Sequence, residues 1–204
     1  MALQPYTTAS VDDYLAFERA QSERHEYLDG LVYAMAGESP DHGQICGNLF
    51  ASLHRHLRDT SCRVFTKDMK VRCGPYQPPS RKGLYAYPDV VVVCGAMQFH
   101  DTVQDVLINP TLLIEVLSLS TETFDRGEKF QRYATWLPTL TDYVLVAQAM
   151  PRVEHYHRAS PQERWLGTIV LDLHAPLHVE TLAWTIPLAD IYERVVFPPA
   201  SEDI

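Results

Sequence analysis

Two short apolar runs each carry a carboxylate, and they constrain the fold more than any other feature of the chain. Asp89 opens the run Val90-Val91-Val92-Val93, and Glu115 sits inside Leu112-Leu113-Ile114-Glu115-Val116-Leu117. Runs this short, apolar and β-branched read as buried strands. A carboxylate placed in such a strand is costly unless a cation or hydrogen bonds compensate it. Lys129 follows on a predicted helix. Carboxylates on adjacent strands can hold a hard cation, and a lysine can orient a water toward it. Each residue taken singly has a plainer reading. Asp89 fits a hydrogen-bonded strand end, which Pro88 favours. Glu115 fits a structural ion pair, and Lys129 a solvated helix lysine. The combination is what points to chemistry.

The rest of the chain supplies a frame for those strands. Ser10 with Asp13 three residues later reads as a helix start. Asp29-Gly30 between Tyr27-Leu28 and Leu31-Val32-Tyr33 predicts a short hairpin. Asp41 is the expected cap of the next helix, on which Ile45, Leu49, Leu53 and Leu57 recur every four residues. His42 falls in its first turn, where the helix dipole favours a neutral imidazole; it either binds substrate or simply occupies the helix start. His54 and His56, near the far end, read as exposed helix histidines. Residues 62–73 alternate and read as one strand, and the proline-rich 74–80 as a loop. Residues 95–111 read as a connection. A helix is expected over 124–136, ended by Pro138, then a strand over 143–146. Strand, helix, strand implies a right-handed parallel crossover. Further strands are expected over 153–157, 169–173 and 179–184, then a short helix over 189–192 and a loose tail over 197–204.

Composition bounds the classes. A chain of 204 residues suits one domain, 1–204, with its core over about 10–196. No apolar run approaches the length of a membrane span, and the start Met-Ala-Leu-Gln-Pro-Tyr lacks a secretion pattern, so a cytoplasmic protein is expected. Cys46, Cys62, Cys73 and Cys94 show no C-x-x-C pairing and read as free thiols. The net charge of −9 argues against broad nucleic-acid binding, though acidic metal ligands count toward it. Arg63, Lys67, Lys70, Arg72, Arg81 and Lys82 cluster against the single acid Asp68. They read either as a phosphate-facing strip or as a solvated hairpin. Trp136, Trp165, Trp184 and eleven tyrosines exceed the obvious needs of one small core, and a homodimer is expected.

The order P-D, then an apolar strand with E, then a nearby lysine resembles the PD-(D/E)XK nuclease superfamily. More closely, the chain resembles the Uma-two family of predicted endonucleases. The matching residues are Pro88-Asp89-Val90-Val91-Val92, Glu115-Val116-Leu117-Ser118-Leu119-Ser120, then Asp125, Lys129 and Tyr133, with Glu26-x-x-Asp29-Gly30 and a following histidine upstream. Two positions depart. Leu119 stands where the family has proline, and Leu117 where the superfamily has its lysine, so that role moves to Lys129. The resemblance implies an α/β fold with a restriction-endonuclease-like core, a mixed central β-sheet flanked by helices. It implies magnesium, with manganese as a substitute, held by Asp89, Glu115 and the carbonyl of Val116. Asp89, Glu115, Lys129 and Glu26 are then the catalytic candidates. His42, Ser118, Asp125 and Tyr133 are the candidates for touching substrate; packing is the plainer role for Tyr133. Asp125 and Lys129, at i and i+4, face the same way, so that Asp125 can keep Lys129 charged and aimed. DNA is the implied partner. The alternative is a non-catalytic nucleic-acid or protein binding module that retains a nuclease fold.

Overall fold

In the computed structural model, residues 7–35 and 37–197 are described. The chain begins with β1 (Thr7–Thr8) and α1 (Val11–Arg19), whose cap Ser10 accepts the Asp13 amide as expected. A hairpin follows, β2 (His25–Leu28) and β3 (Leu31–Ala34). Its two turn residues, Asp29 and Gly30, have φ of +47° and +98°, the left-handed pair that an Asp-Gly hairpin turn demands. Helix α2 (Pro40–His56) is capped by Ser39, not Asp41. Pro40 is suited to the first helical position, and the Ser39 hydroxyl accepts the His42 amide at 3.1 Å.

The expected strand over 62–73 is two strands, β4 (Cys62–Thr66) and β5 (Lys70–Cys73), which part at a turn and enter different sheets. Next come β6 (Leu84–Ala86), β7 (Val90–Cys94) and β8 (Val106–Leu107), the last lying within the expected connection. Strand β9 (Leu112–Leu117) leads into a helical rod made of α3 (Glu122–Phe124), a π-helical turn (Asp125–Lys129) and α4 (Phe130–Trp136). Then follow β10 (Asp142–Ala147), β11 (Val153–His157) and β12 (Leu166–Val170), the last displaced from 169–173. The expected strand over 179–184 is instead a hairpin. Its strands β13 (Pro176–Val179) and β14 (Trp184–Pro187) flank a 3-10 turn (Glu180–Leu182), and α5 (Leu188–Ile191) closes the described chain. All of the expected tail but Phe197 lies outside the described residues.

Two mixed six-stranded sheets result, ordered β1-β3-β2-β6-β5-β8 and β12-β11-β10-β9-β7-β4, beside the β13-β14 pair. Strands β9 and β10 are parallel, joined through the rod. The second sheet is covered on both faces. Val90, Val92, Ile114 and Val144 pack with Ile45, Leu49 and Leu53 of α2, whereas Val91, Val93, Leu113 and Leu145 pack toward β5, β6 and Tyr133 of the rod. That double covering is why these strands read as unbroken apolar runs instead of alternating ones.

The cysteine expectation is corrected. Cys62 and Cys94 are a directly opposed pair on β4 and β7 and form a disulfide; Cys46 and Cys73 are free. Sheet register joins cysteines that are far apart in sequence, which local spacing does not reveal.

Candidate active site

Strands β7 and β9 run antiparallel with Val90 opposite Ile114, so continuing the register one step puts Asp89 opposite Glu115. Asp89 Oδ2 accepts the Val116 amide at 2.8 Å, which ties the strand ends together and aims the carboxylate. Glu115 points with Leu113 and Leu117 toward the rod. There Lys129 Nζ lies 3.0 Å from Glu115 Oε1, 3.2 Å from Asp125 Oδ1 and 3.6 Å from Glu26 Oε1. Glu26 comes from β2 of the other sheet and is held by the Tyr87 amide at 3.1 Å. Three distant segments thus converge on one ammonium.

The charges at this centre do not balance. Glu115 and Lys129 are each 4% exposed. Burial, followed by the charges of Asp125, Asp89 and Glu26, pushes the Glu115 carboxyl far above its ordinary range against the pull of Lys129. Burial opposes the charge on Lys129, yet Asp125, Glu115 and Glu26 outweigh it and hold the ammonium protonated. Lys129 sits close to Glu115 Oε1 but outside hydrogen-bond geometry, so that oxygen is a buried acceptor lacking a hydrogen-bond donor among the described residues. A buried, under-satisfied carboxylate oxygen among surplus acids fits a hard divalent cation.

The π-helical turn spans Asp125 to Lys129, and both of those residues are buried. Such wide turns recur at functional sites. Tyr143 braces this one by donating its hydroxyl to the Asp125 carbonyl at 3.0 Å. Tyr133, one turn on, is fully buried, and among the described residues its hydroxyl has no hydrogen-bond partner. Ser118 is occupied locally: its Oγ lies 3.0 Å from the hydroxyls of Ser120 and Thr121 and accepts the Thr121 amide, which closes the turn after β9. Leu119, in the family's proline position, is 97% exposed. Leu117, in the superfamily's lysine position, is buried.

His42 approaches Asp89 from α2, with Nε2 3.3 Å from Asp89 Oδ2 and Nδ1 3.2 Å from Glu38 Oε2. Two acids that the sequence does not place beside His42 oppose the helix dipole. Burial lowers its proton affinity, but Asp89 and Glu38 outweigh burial and raise it above the ordinary value. Glu38 in turn pairs with Lys67. Cys46 Sγ lies 3.5 Å from His42 Nδ1. Sequence reasoning missed Glu38 and Cys46; Cys46 stands one turn after His42 on α2, and Glu38 just before the cap Ser39.

Among the described residues, ligand atoms gather within 4.8 Å of one another in two groups, Glu38–His42–Cys46 and Asp142–His155–His157. Asp89, Glu115 and Glu26 do not form such a group; the Lys129 ammonium is wedged between the last two. The basic cluster does not form one strip. Lys70 is buried over the rings of Tyr14 and Tyr87, Arg72 contacts His100, and Lys82 pairs with Asp29. A cleft of about 580 Å³ lies elsewhere, lined by Asp29, Gly127, Arg132 and Trp136 among others and by none of the catalytic candidates.

The chain matches the family described as "Uma2: Putative restriction endonuclease" over residues 11–189. Two proteins of Synechocystis sp. (strain ATCC 27184 / PCC 6803 / Kazusa) are similar along most of their length. "Uncharacterized protein slr1290" is 33% identical over 195 residues, covering 95% of this chain and 96% of its own. "Uncharacterized protein sll1609" is 33% identical over 165 residues, covering 81% and 89%. The fold is similar to the crystal structure of "a putative nuclease belonging to DUF820" from Anabaena variabilis ATCC 29413, with a TM-score of 0.73, 15% identity, and coverage of 92% of this chain and 99% of that one.

Proposed function

Since this chain belongs to the Uma2 family of restriction-endonuclease-like proteins, we propose that it is a divalent-metal-dependent endonuclease hydrolysing DNA phosphodiester bonds. The observation that carries the reading is the buried Lys129 ammonium, 3.0 Å from a strand carboxylate and shared with Glu26 and Asp125. A solvated helix lysine does not sit there.

Asp89 and Glu115, with the Val116 carbonyl, are the residues that would hold magnesium, which supplies charge neutralisation at phosphate and a more acidic water. The protein's own part is positioning. The Asp89–Val116 hydrogen bond fixes one carboxylate against its neighbouring strand. Lys129 donates to the attacking water and faces the negative charge that builds on phosphate as water adds and a P–O bond breaks. Asp125 keeps the ammonium charged and aimed. Glu26 completes the acidic wall from the other sheet. His42, whose proton affinity Asp89 and Glu38 raise, is placed to contact a phosphate oxygen. Ser118 shapes the turn at the rim, and Tyr133 packs.

On this reading the chain works as one catalytic domain in the cytoplasm on duplex DNA. A homodimer would supply two sites related by a two-fold axis for the two strands. No helix among the described residues is long and apolar enough to cross a membrane. The test is cleavage of plasmid DNA by the parent and by Glu115→Gln, each with and without magnesium. Nicked or linear product from the parent with magnesium alone supports the proposal. Intact plasmid in every arm, with the parent folded, overturns it in favour of a binding module.

A further inference from the structure

The second donor cluster lies at the other end of the sheet. Asp142 on β10 is directly opposite His157 on β11, and His155 stands two residues from His157 on the same strand. Opposed residues share a face, as do residues two apart. The register alone therefore puts one carboxylate and two imidazoles in a single patch. Their atoms converge: Asp142 Oδ1 is 2.7 Å from His155 Nε2 and 3.0 Å from His157 Nδ1. Asp142 Oδ2 accepts the Thr141 hydroxyl at 2.7 Å, which fixes the carboxylate plane.

Asp142 is fully buried. Among the described residues its charged partners are His155 and His157 alone. The nearby Arg158 guanidinium is committed to the backbone carbonyls of Leu140, Ala134 and Leu137. The two imidazoles and the carboxylate thus present three ligand atoms within 4.8 Å of one another, around a common point. We infer that Asp142, His155 and His157 form a binding site for a transition-metal dication of the zinc class.

The chemistry selects the metal. Two imidazole nitrogens and one carboxylate oxygen suit zinc, cobalt or nickel, whereas magnesium prefers an all-oxygen shell. Zinc–ligand distances near 2.0–2.2 Å place tetrahedral ligands about 3.3 Å apart. The present separations of 2.7 and 3.0 Å need to open by about 0.6 and 0.3 Å, and the two imidazole nitrogens lie within 4.8 Å of each other. Both imidazole nitrogens already aim at one oxygen, so a metal would replace the protons that now bridge them. The His157 side chain is 24% exposed, which leaves a route in and an open position for water. The site shares no residue with the nuclease centre. Asp142 pairs with Leu112 and Leu145 with Glu115, three residues along the strand or roughly 10 Å.

The test is isothermal titration of the full chain with zinc in excess magnesium. A His42→Ala background removes the competing Glu38–His42–Cys46 group. One equivalent of zinc should bind, and zinc should raise the melting temperature. His157→Ala should weaken affinity by at least about a hundredfold, since even partners one shell out from a metal cost 10–100-fold. His155→Gln, which keeps the volume and a hydrogen bond, should do the same and serves if His157→Ala fails to fold. The inference is overturned if zinc fails to bind in excess magnesium, or if its affinity is unchanged in a folded His157→Ala or His155→Gln variant. Plasmid cleavage plays no part in this readout, so the two proposals fail separately.

Discussion

Replacing Lys129 by methionine tests the centre most directly. The substitution keeps the length of the stem and removes the charge. Three carboxylates, at 3.0, 3.2 and 3.6 Å, then face one another across a buried space. Removing one partner of a buried pair costs about 3–5 kcal/mol because the remaining charge is left uncompensated. Glu115 can escape part of this cost by taking up a proton, to which burial already disposes it. The loss should therefore fall near the lower end, about 3 kcal/mol at neutral pH, and shrink as the solution is acidified. Urea denaturation without metal, at neutral and mildly acid pH, reads both quantities. Millimolar magnesium should restore part of the stability, since a dication can take the place the ammonium left. Single-turnover cleavage of a labelled duplex at saturating magnesium should fall by about 10²–10³, the loss typical of one preorganised electrostatic donor. Lys129→Arg should recover stability better than rate, because a planar fork does not replace a compact ammonium. A folded Lys129→Met protein with parental stability and parental rate would refute both the ion-pair reading and the catalytic one.

Three further outcomes follow from the same geometry. Glu115→Gln should abolish manganese binding in calorimetry with little loss of metal-free stability, because Lys129 keeps Asp125 and Glu26; unchanged manganese affinity would remove Glu115 from the ligand set. Asp29→Asn should loosen the clamp between the β2–β3 hairpin and the rod, where Arg132 contacts both carboxylate oxygens at 2.7 and 3.2 Å and the Gly83 amide adds 2.8 Å. Burial pushes Asp29 up, but Arg132 and the Gly83 amide outweigh it and leave its pKa at about 2 against 3.8. A depressed carboxyl stabilises above its unfolded value and loses that contribution as pH falls toward its folded one. The variant should thus be less stable by about 1 kcal/mol near neutral pH, with a deficit that shrinks as pH falls through the folded pKa of about 2, as read by urea midpoints; a deficit independent of pH would contradict this. Tyr133→Phe removes a buried hydroxyl without a partner, so stability should hold or rise by up to about 1 kcal/mol and cleavage should not change; a tenfold slower rate would instead give Tyr133 a phosphate contact.

How far the sequence discloses this fold depends on whether each signal is local. Ser10 and Asp29-Gly30 specify their cap and turn through chemistry confined to a few residues, and both occur where expected. The runs around Asp89 and Glu115 are strands because apolar β-branched residues fill both faces of a covered sheet. The misreadings come where a choice is made at longer range. Residues 62–73 alternate throughout, yet the turn at 67–69 sends β5 to the other sheet. The Cys62–Cys94 bridge depends on register between strands that no spacing rule connects. The self-association argument weakens for the same reason: Trp184 is buried in the core and Trp165 packs on Phe130 and Arg158, which leaves Trp136 exposed.

The site divides along the same line. Asp89 and Glu115 stand out because each is a carboxylate in an apolar strand, and such conflicts persist where something compensates them; Lys129, taken singly, reads as a solvated helix lysine and gains weight only in combination with them. The compensation itself is invisible in sequence. That Glu26, from another sheet, would share the ammonium with Glu115 required a family pattern to anticipate. The proton affinity of His42 is likewise set from a distance in sequence: the helix dipole is local, whereas Asp89 comes from another strand. Gly127 was the overlooked clue to the π-helical turn: a glycine inside a helical pattern costs about 1 kcal/mol against alanine and marks unusual backbone. The wide turn holds Asp125 and Lys129 on one buried face. Lys129 thereby occupies, 3.0 Å from Glu115, the place that the proposed dication would take. On the proposed reading Lys129 and a dication compete for the same carboxylate, so stability without metal and affinity for metal should move in opposite directions in any variant that repositions Lys129.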